Sequence, residues 1–427
     1  GFLDLDPFVA RIAGFALRSR RFETRLDLHL FDVASGRILT WYTDQNRRTV
    51  PLALLLGVRD RSVVLRQLRD LLIGSTNTLS DLLPDTEGAG RPPGEPLTAA
   101  RIREDPYWNA TPPTEGVPPW EPSPLVGTGD RWEHLEGERH VQWWRDALDS
   151  EVPLNAHAMW VTRDWEPSWF GRHELQALHE AGLTPVLLFY YFGDDVSQET
   201  VTAHYERYRY WLQTVLGHLA SDVPVLVVLE PEFNNVPPDG GAHVKDWAPF
   251  AELMIRSAAE VRRFLPKAHV GICPGDFRAY DLWEVLGPIA RHMDFLAFQE
   301  LWGSTRPNWM SEQAQDVTEY ALLFTTYLRV VYERPVLLAY LGISSYTEAA
   351  EDGWEAVQAK VWSDLADDID RFRANGLFGV LAFAWYDDPL HAGYFGPAET
   401  RWGLVERSGR RKPAFDAFAR LARRLLH

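Results

Sequence analysis

Two glutamates, Glu230 and Glu232, follow directly after an apolar run in the segment PVLVVLEPEFNN. Paired carboxyl groups are the usual catalytic groups of glycosidic bond cleavage, in which one donates a proton and the other attacks the sugar or activates water. If the apolar run is a strand, residues two apart face the same side, so both glutamates point together. We therefore expect Glu232 to be the proton donor and Glu230 to tune it by like-charge repulsion.

The elements that must position these glutamates form a regular series. Eight short apolar runs, each of which ends in polar or aromatic residues, alternate with segments of helical spacing. This alternation predicts an α/β protein with parallel strands that are covered by helices, and eight units predict a (β/α)8 TIM barrel. A doubly wound open sheet is the alternative, but GTGDRWEH is a weak candidate for the phosphate loop of such a sheet. The predicted strands begin near residues 124, 152, 184, 224, 268, 293, 335 and 378.

The composition of the chain changes before the barrel. Residues 1–82 are predicted to form a small α/β region, since RLDLHLFDVASGRILTWYT has the alternation of a β-hairpin and SVVLRQLRDLL has helical spacing. Residues 83–121 are rich in proline and glycine, which is typical of a linker or a surface wrap. The predicted barrel therefore occupies residues 122–427.

Charge and aromatic content indicate the class of ligand. The formal net charge of -17 argues against nucleic acid, whose phosphates require a basic face. Aromatic residues make up 13% of the chain and include 18 tryptophans. Aromatic rings with a polar edge suit ligands that are apolar on the face and hydroxylated at the rim, so we expect a carbohydrate partner.

Neither a cofactor nor a metal is expected. Cys273 is the only cysteine, which excludes an intrachain disulfide or a zinc-thiolate cluster, and no histidines at the strand ends have metal-ligand spacing. No apolar run reaches the roughly 18 residues of a membrane span. Removal of a leader before Gly1 would favour a secreted or periplasmic protein, and a cytoplasmic location stays open.

The C-terminal ends of the predicted strands supply the remaining candidate residues, because chemistry in such barrels gathers there. Aromatic, acidic and amide side chains dominate these positions. The expected substrate-binding residues are Asn234, Trp160, Asp194, Asp276, Gln299, Trp302, Trp385 and Asp387.

Four motifs in this order resemble clan A glycoside hydrolases. VVLEPEFNN resembles their fourth strand, in which a glutamate near the end is the general acid/base, and residues 232–234 are closest to the Glu-Met-Asn of the family 26 β-mannanase-like group. RPVLLAYLGISS, GVLAFAWYDDP and RWGLVERSGRRKPAFDAF are similar to the seventh strand, the eighth strand and the closing segment. The resemblance spans residues 122–425 and implies a hydrolase that acts on a neutral oligo- or polysaccharide.

One position departs from this family. Tyr340 stands where the seventh strand of the family carries its nucleophilic glutamate. We expect Glu300 on strand six to supply the second carboxylate and to form a hydrogen bond with Tyr340, as if the two residues had exchanged strands. Tyr340 is itself an alternative nucleophile, as in sialidases, if Glu300 removes its proton. A barrel that binds glycan without cleaving it is the alternative function.

Overall fold

The computed structural model describes two compact units, Gly1–Glu95 and Pro96–His427. In the first unit it describes the backbone of strands within residues 2–48, and in the second it describes most of the chain. The ranges 131–139, 194–195, 235–246, 276–278, 304–316 and 347–352 lie outside the described residues of the second unit.

The first unit contains two small antiparallel sheets. Strands β1 (Phe2–Leu5) and β2 (Phe8–Arg11) form one, and β3 (Phe15–Arg18), β4 (Arg21–Phe31) and β5 (Ile38–Arg48) form the other. Strands β4 and β5 pair antiparallel, as the alternating pattern predicts. The predicted turn at residues 34–36 and the helix in SVVLRQLRDLL lie outside the described residues.

The second unit contains a closed barrel of eight parallel strands, which confirms the predicted (β/α)8 fold. Successive strands pair in chain order, and pairing of the first with the eighth closes the barrel. Counted from first to eighth, the barrel strands are β6 (Leu125–Asp130), β7 (Ala156–Thr162), β8 (Thr184–Tyr190), β9 (Val225–Leu229), β10 (Ala268–Ile272), β11 (Phe295–Trp302), β12 (Val336–Ile343) and β13 (Leu377–Ala382).

Helices connect the strands and cover the outside of the barrel. Ser197 begins the long helix after β8, where its hydroxyl accepts a hydrogen bond from the Thr200 amide, as expected of a residue that caps a helix. No helix among the described residues is long and apolar enough to cross a membrane. The helices are α1 (Ala99–Glu104), α2 (His140–Asp149), α3 (Arg172–Glu180), α4 (Gln198–Leu219), α5 (Ala248–Phe264), α6 (Ala279–Ala290), α7 (Val317–Tyr332), α8 (Gly353–Ala374) and α9 (Pro413–Leu426).

The apolar strands bury both faces, and this produces two layers. The inner layer fills the barrel with alternate strand residues such as Ala158, Leu188 and Val228. The outer layer packs the intervening residues, such as Met159 and Leu187, against the helices. A side chain at a strand end therefore belongs to the barrel mouth or to the helix side, according to its register.

A β-bulge in β12 changes this register near the mouth. Phe298 of β11 lies opposite Leu338, but the next residue, Gln299, lies opposite Tyr340, so Ala339 is an extra residue in β12. Both Ala339 and Tyr340 belong to the inner layer. The bulge thus turns Tyr340 into the barrel, although simple alternation from Leu338 would place it outside with the helices.

The segment from Pro96 to residue 121 belongs to the second unit. Its Trp108 indole donates a hydrogen bond of 3.0 Å to the Tyr205 hydroxyl on α4, and that hydroxyl donates one of 2.6 Å to Asp105. Arg209, also on α4, forms an ion pair with Asp105. This part of the predicted linker or wrap is therefore packed against the barrel helices.

A buried ion pair fastens the end of the barrel. Lys412, the residue before α9, places its ammonium 2.6 Å from the Asp387 carboxylate, and both side chains are buried. The Gly403 amide also donates to Asp387, at 2.9 Å. Burial raises the pKa of Asp387 and lowers that of Lys412, and the attraction between the two charges opposes both shifts.

We predict that Lys412→Met lowers the free energy of unfolding by about 3 kcal/mol, because it leaves Asp387 buried without its nearest cation. Lys360→Met is the matched control, since Lys360 forms an exposed ion pair with Asp364 one helical turn away. We expect Lys360→Met to lower the free energy of unfolding by less than about 1 kcal/mol. Urea unfolding of the two variants measures the difference, and equal costs would contradict a structural role for the buried pair.

Candidate active site at the mouth of the barrel

The segment after β9 carries both predicted glutamates in a turn. β9 ends at Leu229, and Glu230 and Glu232 both have positive φ angles, 40° and 65°. Non-glycine residues rarely adopt this backbone conformation, which is often stored at functional sites. Because the two residues lie beyond the regular strand, their side chains do not point to one side, contrary to the prediction from strand alternation.

Glu232 lies at the barrel mouth and is partly exposed. The Tyr340 hydroxyl donates a hydrogen bond of 2.6 Å to its Oε1. This short bond joins the end of the fourth barrel strand to the seventh strand on another side of the mouth. The Glu232 amide donates to the Cys273 carbonyl at 2.9 Å, which ties the turn to the end of β10.

Aromatic rings surround the Tyr340 phenol. The Trp160 ring centre lies 5.1 Å from that of Tyr340, and the Phe383 ring centre lies 5.7 Å from it. Trp160 also contacts Tyr190 in an edge-to-face arrangement. Burial raises the pKa of Tyr340 well above its ordinary value, and the charge of Glu232 acts in the same direction. Tyr340 is therefore a proton-bearing donor, and only 1% of its surface is exposed.

Gln299 occupies the inward position next to Tyr340, which it faces across the β11–β12 pairing. Its Oε1 is buried and has no hydrogen-bond partner in the described part of the chain. An amide oxygen that lacks a partner beside Tyr340 agrees with the predicted role of Gln299 in binding a hydroxylated ligand, which stays a prediction.

Glu230 is anchored away from Glu232. Its carboxylate accepts hydrogen bonds from the backbone amides of Tyr191, at 3.2 Å, and Phe192, at 3.1 Å, just beyond β8. The side chains of Tyr191, Phe192 and Tyr208 of α4 belong to the outer layer. Burial raises the pKa of Glu230 to about 8, although both backbone hydrogen bonds lower it. Glu230 thus connects the ends of β8 and β9.

Glu300 occupies an outward register position. It lies opposite Leu341, which belongs to the outer layer, and its carboxylate accepts a hydrogen bond of 2.9 Å from the Trp302 indole. The predicted pairing of Glu300 with Tyr340 is therefore wrong, because the Tyr340 hydroxyl donates its hydrogen bond to Glu232. The cause is the bulge at Ala339, without which the register of β11 and β12 would place Tyr340 opposite Glu300.

Other predicted residues have structural partners. Asn234 is buried and accepts a hydrogen bond of 2.7 Å from the Gly275 amide, which holds the ends of β9 and β10 together. Trp302 stacks on Tyr320 of α7, outside the barrel. Trp385 packs against Phe415 of α9 and belongs to the outer layer, on the helix side of the barrel.

Asp387, also predicted to bind substrate, is held in the ion pair with Lys412 described above. Asp194 and Asp276 lie outside the described residues. Of the twelve predicted site residues, the structure therefore brings Glu232, Tyr340, Trp160 and Gln299 together.

Sequence reasoning missed several residues near this cluster. Tyr190 and Phe383 contact Trp160, and their inward alternation along β8 and just past β13 could have identified them. The His391 ring stacks on Phe383, and its Nε2 lies 3.5 Å from the Glu399 carboxylate. No sequence pattern indicates this His391–Glu399 contact, because it depends on how the segment after β13 folds back. Within the described residues, no group of three or more His, Cys, Asp or Glu side chains is arranged to hold a metal ion.

The raised pKa of Glu230 predicts a specific pH dependence of stability. Its folded pKa of about 8 exceeds the ordinary value of 4.5, so between these values the folded state binds more protons than the unfolded state. The contribution of Glu230 to the free energy of unfolding is therefore present below this window and is lost as pH rises through it, at up to about 1.4 kcal/mol per pH unit. We expect Glu230→Gln to remove this slope.

Urea unfolding of wild type and Glu230→Gln between pH 4.5 and pH 8 tests this. Glu319→Gln, at an exposed position on α7, is the control and should keep the wild-type slope. Parallel pH profiles of wild type and Glu230→Gln would contradict the assignment.

Comparisons with known proteins agree with the barrel. No protein-family model matches the sequence, and no curated protein matches it. Among solved structures, a GH5_18 protein from Bifidobacterium longum in complex with Manβ1-4GlcNAc has a TM-score of 0.50 and 15% identity, over 70% of this chain and 78% of that one. The endo-β-1,4-mannanase of Thermotoga petrophila has a TM-score of 0.48 and 13% identity, over 71% and 77%. At these identities the likeness shows the fold alone, which is an eight-stranded barrel that this chain shares with glycoside hydrolases.

Proposed function

We propose that the barrel is a glycoside hydrolase that cleaves a neutral oligo- or polysaccharide, with Glu232 as its essential carboxylate. The observation that carries this proposal is the position of Glu232, which is partly exposed at the C-terminal mouth and held at 2.6 Å by Tyr340. This is the end at which (β/α)8 enzymes perform their chemistry. The aromatic surroundings and the net charge of -17 favour an uncharged sugar over an anionic one.

Glycosidic bond cleavage requires a second carboxyl group. The outward register of Glu300 argues against this residue as the second carboxyl group. Asp387 and Glu230 are held by structural partners. Asp276 is our first candidate, because it follows Gly275, whose amide binds Asn234 two residues from Glu232. Asp194, which follows β8 in the chain, is the second candidate.

The test is release of reducing ends from a panel of neutral polysaccharides, which includes β-mannans, β-glucans and β-galactans. On any substrate that wild type cleaves, we predict that Glu232→Gln lowers kcat by about 10²- to 10⁴-fold, the usual range for loss of an acid or base. The amide keeps the size and polarity of the side chain, so binding of the glycan should persist in calorimetry.

Glu300→Gln is the matched control for this experiment. It makes the same chemical change on the outward side of β11, where Glu300 accepts a hydrogen bond from the Trp302 indole, so we expect kcat within about threefold of wild type. Full activity of Glu232→Gln would contradict the proposal. Binding of a glycan without cleavage by wild type would favour a carbohydrate-binding barrel, for which the tyrosine at position 340 is the supporting observation.

A further inference from the structure

We propose that Glu232 enters the reaction as an ionised carboxylate, held in that form by Tyr340, and that the leaving oxygen takes its proton from a different acid. This inference rests on the proposed function. It reverses the role that the sequence resemblance implies for Glu232, since the corresponding glutamate of that family is the general acid/base.

The geometry of the hydrogen bond supports the ionised form. The distance of 2.6 Å between the Tyr340 hydroxyl and Glu232 Oε1 is typical of a hydroxyl that donates to a charged carboxylate. A hydrogen bond donated to a carboxylate stabilises its ionised form relative to its protonated form. A residue that must hold a proton for the leaving group would be hindered by such a donor.

Tyr340 is fixed as a donor by its surroundings. Trp160 and Phe383 pack against its ring, and the bulge at Ala339 sets the direction of its side chain. Burial favours the neutral phenol, so the proton stays on Tyr340. A buried neutral tyrosine is a poor nucleophile, which argues against the sialidase-like alternative and makes Tyr340 a positioning residue.

Three other titratable groups that the structure describes near the pair are compatible with this assignment. Cys273, directly after β10, interacts with the charge of Glu232, and burial raises the pKa of its thiol, so it stays neutral. Tyr190 of β8 acts on Tyr340 in the same way as Glu232 does, by favouring the neutral phenol. Glu230, two residues away, is directed to the backbone amides of Tyr191 and Phe192.

The chemical step follows from the charge. Ionised Glu232 either bonds to the anomeric carbon or takes a proton from a water whose oxygen bonds to that carbon. The bond between the anomeric carbon and the glycosidic oxygen breaks, its electron pair goes to that oxygen, and the oxygen takes a proton from a second carboxylic acid. Where Glu232 has bonded to the sugar, the second group, now a carboxylate, takes a proton from water, whose oxygen bonds to the anomeric carbon as the bond from that carbon to Glu232 breaks, which restores both carboxyl groups.

A comparison of leaving groups tests the role directly. Dinitrophenolate departs without a proton, so an enzyme that has lost only its proton donor still cleaves dinitrophenyl glycosides. We expect the kcat/KM of Glu232→Gln to fall by about 10²-fold or more on the dinitrophenyl β-mannoside, β-glucoside or β-galactoside that wild type accepts. The same loss is expected on the oligosaccharide. Loss on the oligosaccharide alone would overturn the inference and leave the hydrolase function standing.

A second measurement does not depend on hydrolysis. In protein labelled with ¹³C at glutamate carboxyl groups, the Glu232 resonance is assigned by its loss in Glu232→Gln and followed against pH. Tyr340→Phe keeps the aromatic ring but removes the hydroxyl that stabilises ionised Glu232. We expect the midpoint of the Glu232 titration to rise by about one pH unit in this variant. The acidic limb of kcat/KM should move with it. An unchanged titration in Tyr340→Phe would overturn the inference even if the protein cleaves no tested glycan.

Tyr205→Phe is the matched control for this titration. The Tyr205 hydroxyl donates to the Asp105 carboxylate at 2.6 Å, the same distance as in the catalytic pair, but on α4 outside the barrel. The substitution Tyr205→Phe removes an equivalent buried hydroxyl and should leave the titration of Glu232 unchanged. A shift of equal size in Tyr205→Phe would show that general loosening of the fold, rather than the lost hydrogen bond, moves Glu232, and would overturn the inference.

Discussion

The bulge at Ala339 determines which side chains reach the centre of the barrel mouth. It adds one residue to β12 and turns Tyr340 from the helix side to the interior, where its hydroxyl binds Glu232. Without it, Tyr340 would lie beside Glu300 and away from Glu232. A bulge costs a ladder hydrogen bond, so its presence beside a short tyrosine–carboxylate contact agrees with a functional placement of the phenol.

The repetitive part of the fold could be predicted from the sequence. Most barrel strands are nearly continuous apolar runs because both of their faces are buried, and this pattern appears directly in residues such as those of β9. The site was less predictable, since a strand pattern gives no sign of where regular alternation stops. The positive φ angles of Glu230 and Glu232 and the extra residue at Ala339 each redirect a side chain.

Carboxylates near the strand ends differ in environment rather than in sequence pattern. Glu230 accepts hydrogen bonds from two backbone amides in a buried site. Asp387 forms an ion pair with buried Lys412, and Glu300 lies on the outward side of β11. In the sequence each follows or ends an apolar run in the same way as Glu232. Among the described carboxylates, burial, bonding partners and strand register, rather than sequence pattern, therefore distinguish these three from Glu232 at the mouth.

A crystal structure of the Glu232→Gln protein with a bound neutral oligosaccharide tests the central claim most directly. We predict a sugar ring at the mouth in contact with Trp160 or Gln299, and the anomeric carbon or its attacking water within about 3.5 Å of the residue 232 side chain. The Tyr340 hydroxyl should remain hydrogen-bonded to that side chain. An oligosaccharide bound away from the mouth, with residue 232 out of contact, would contradict the account.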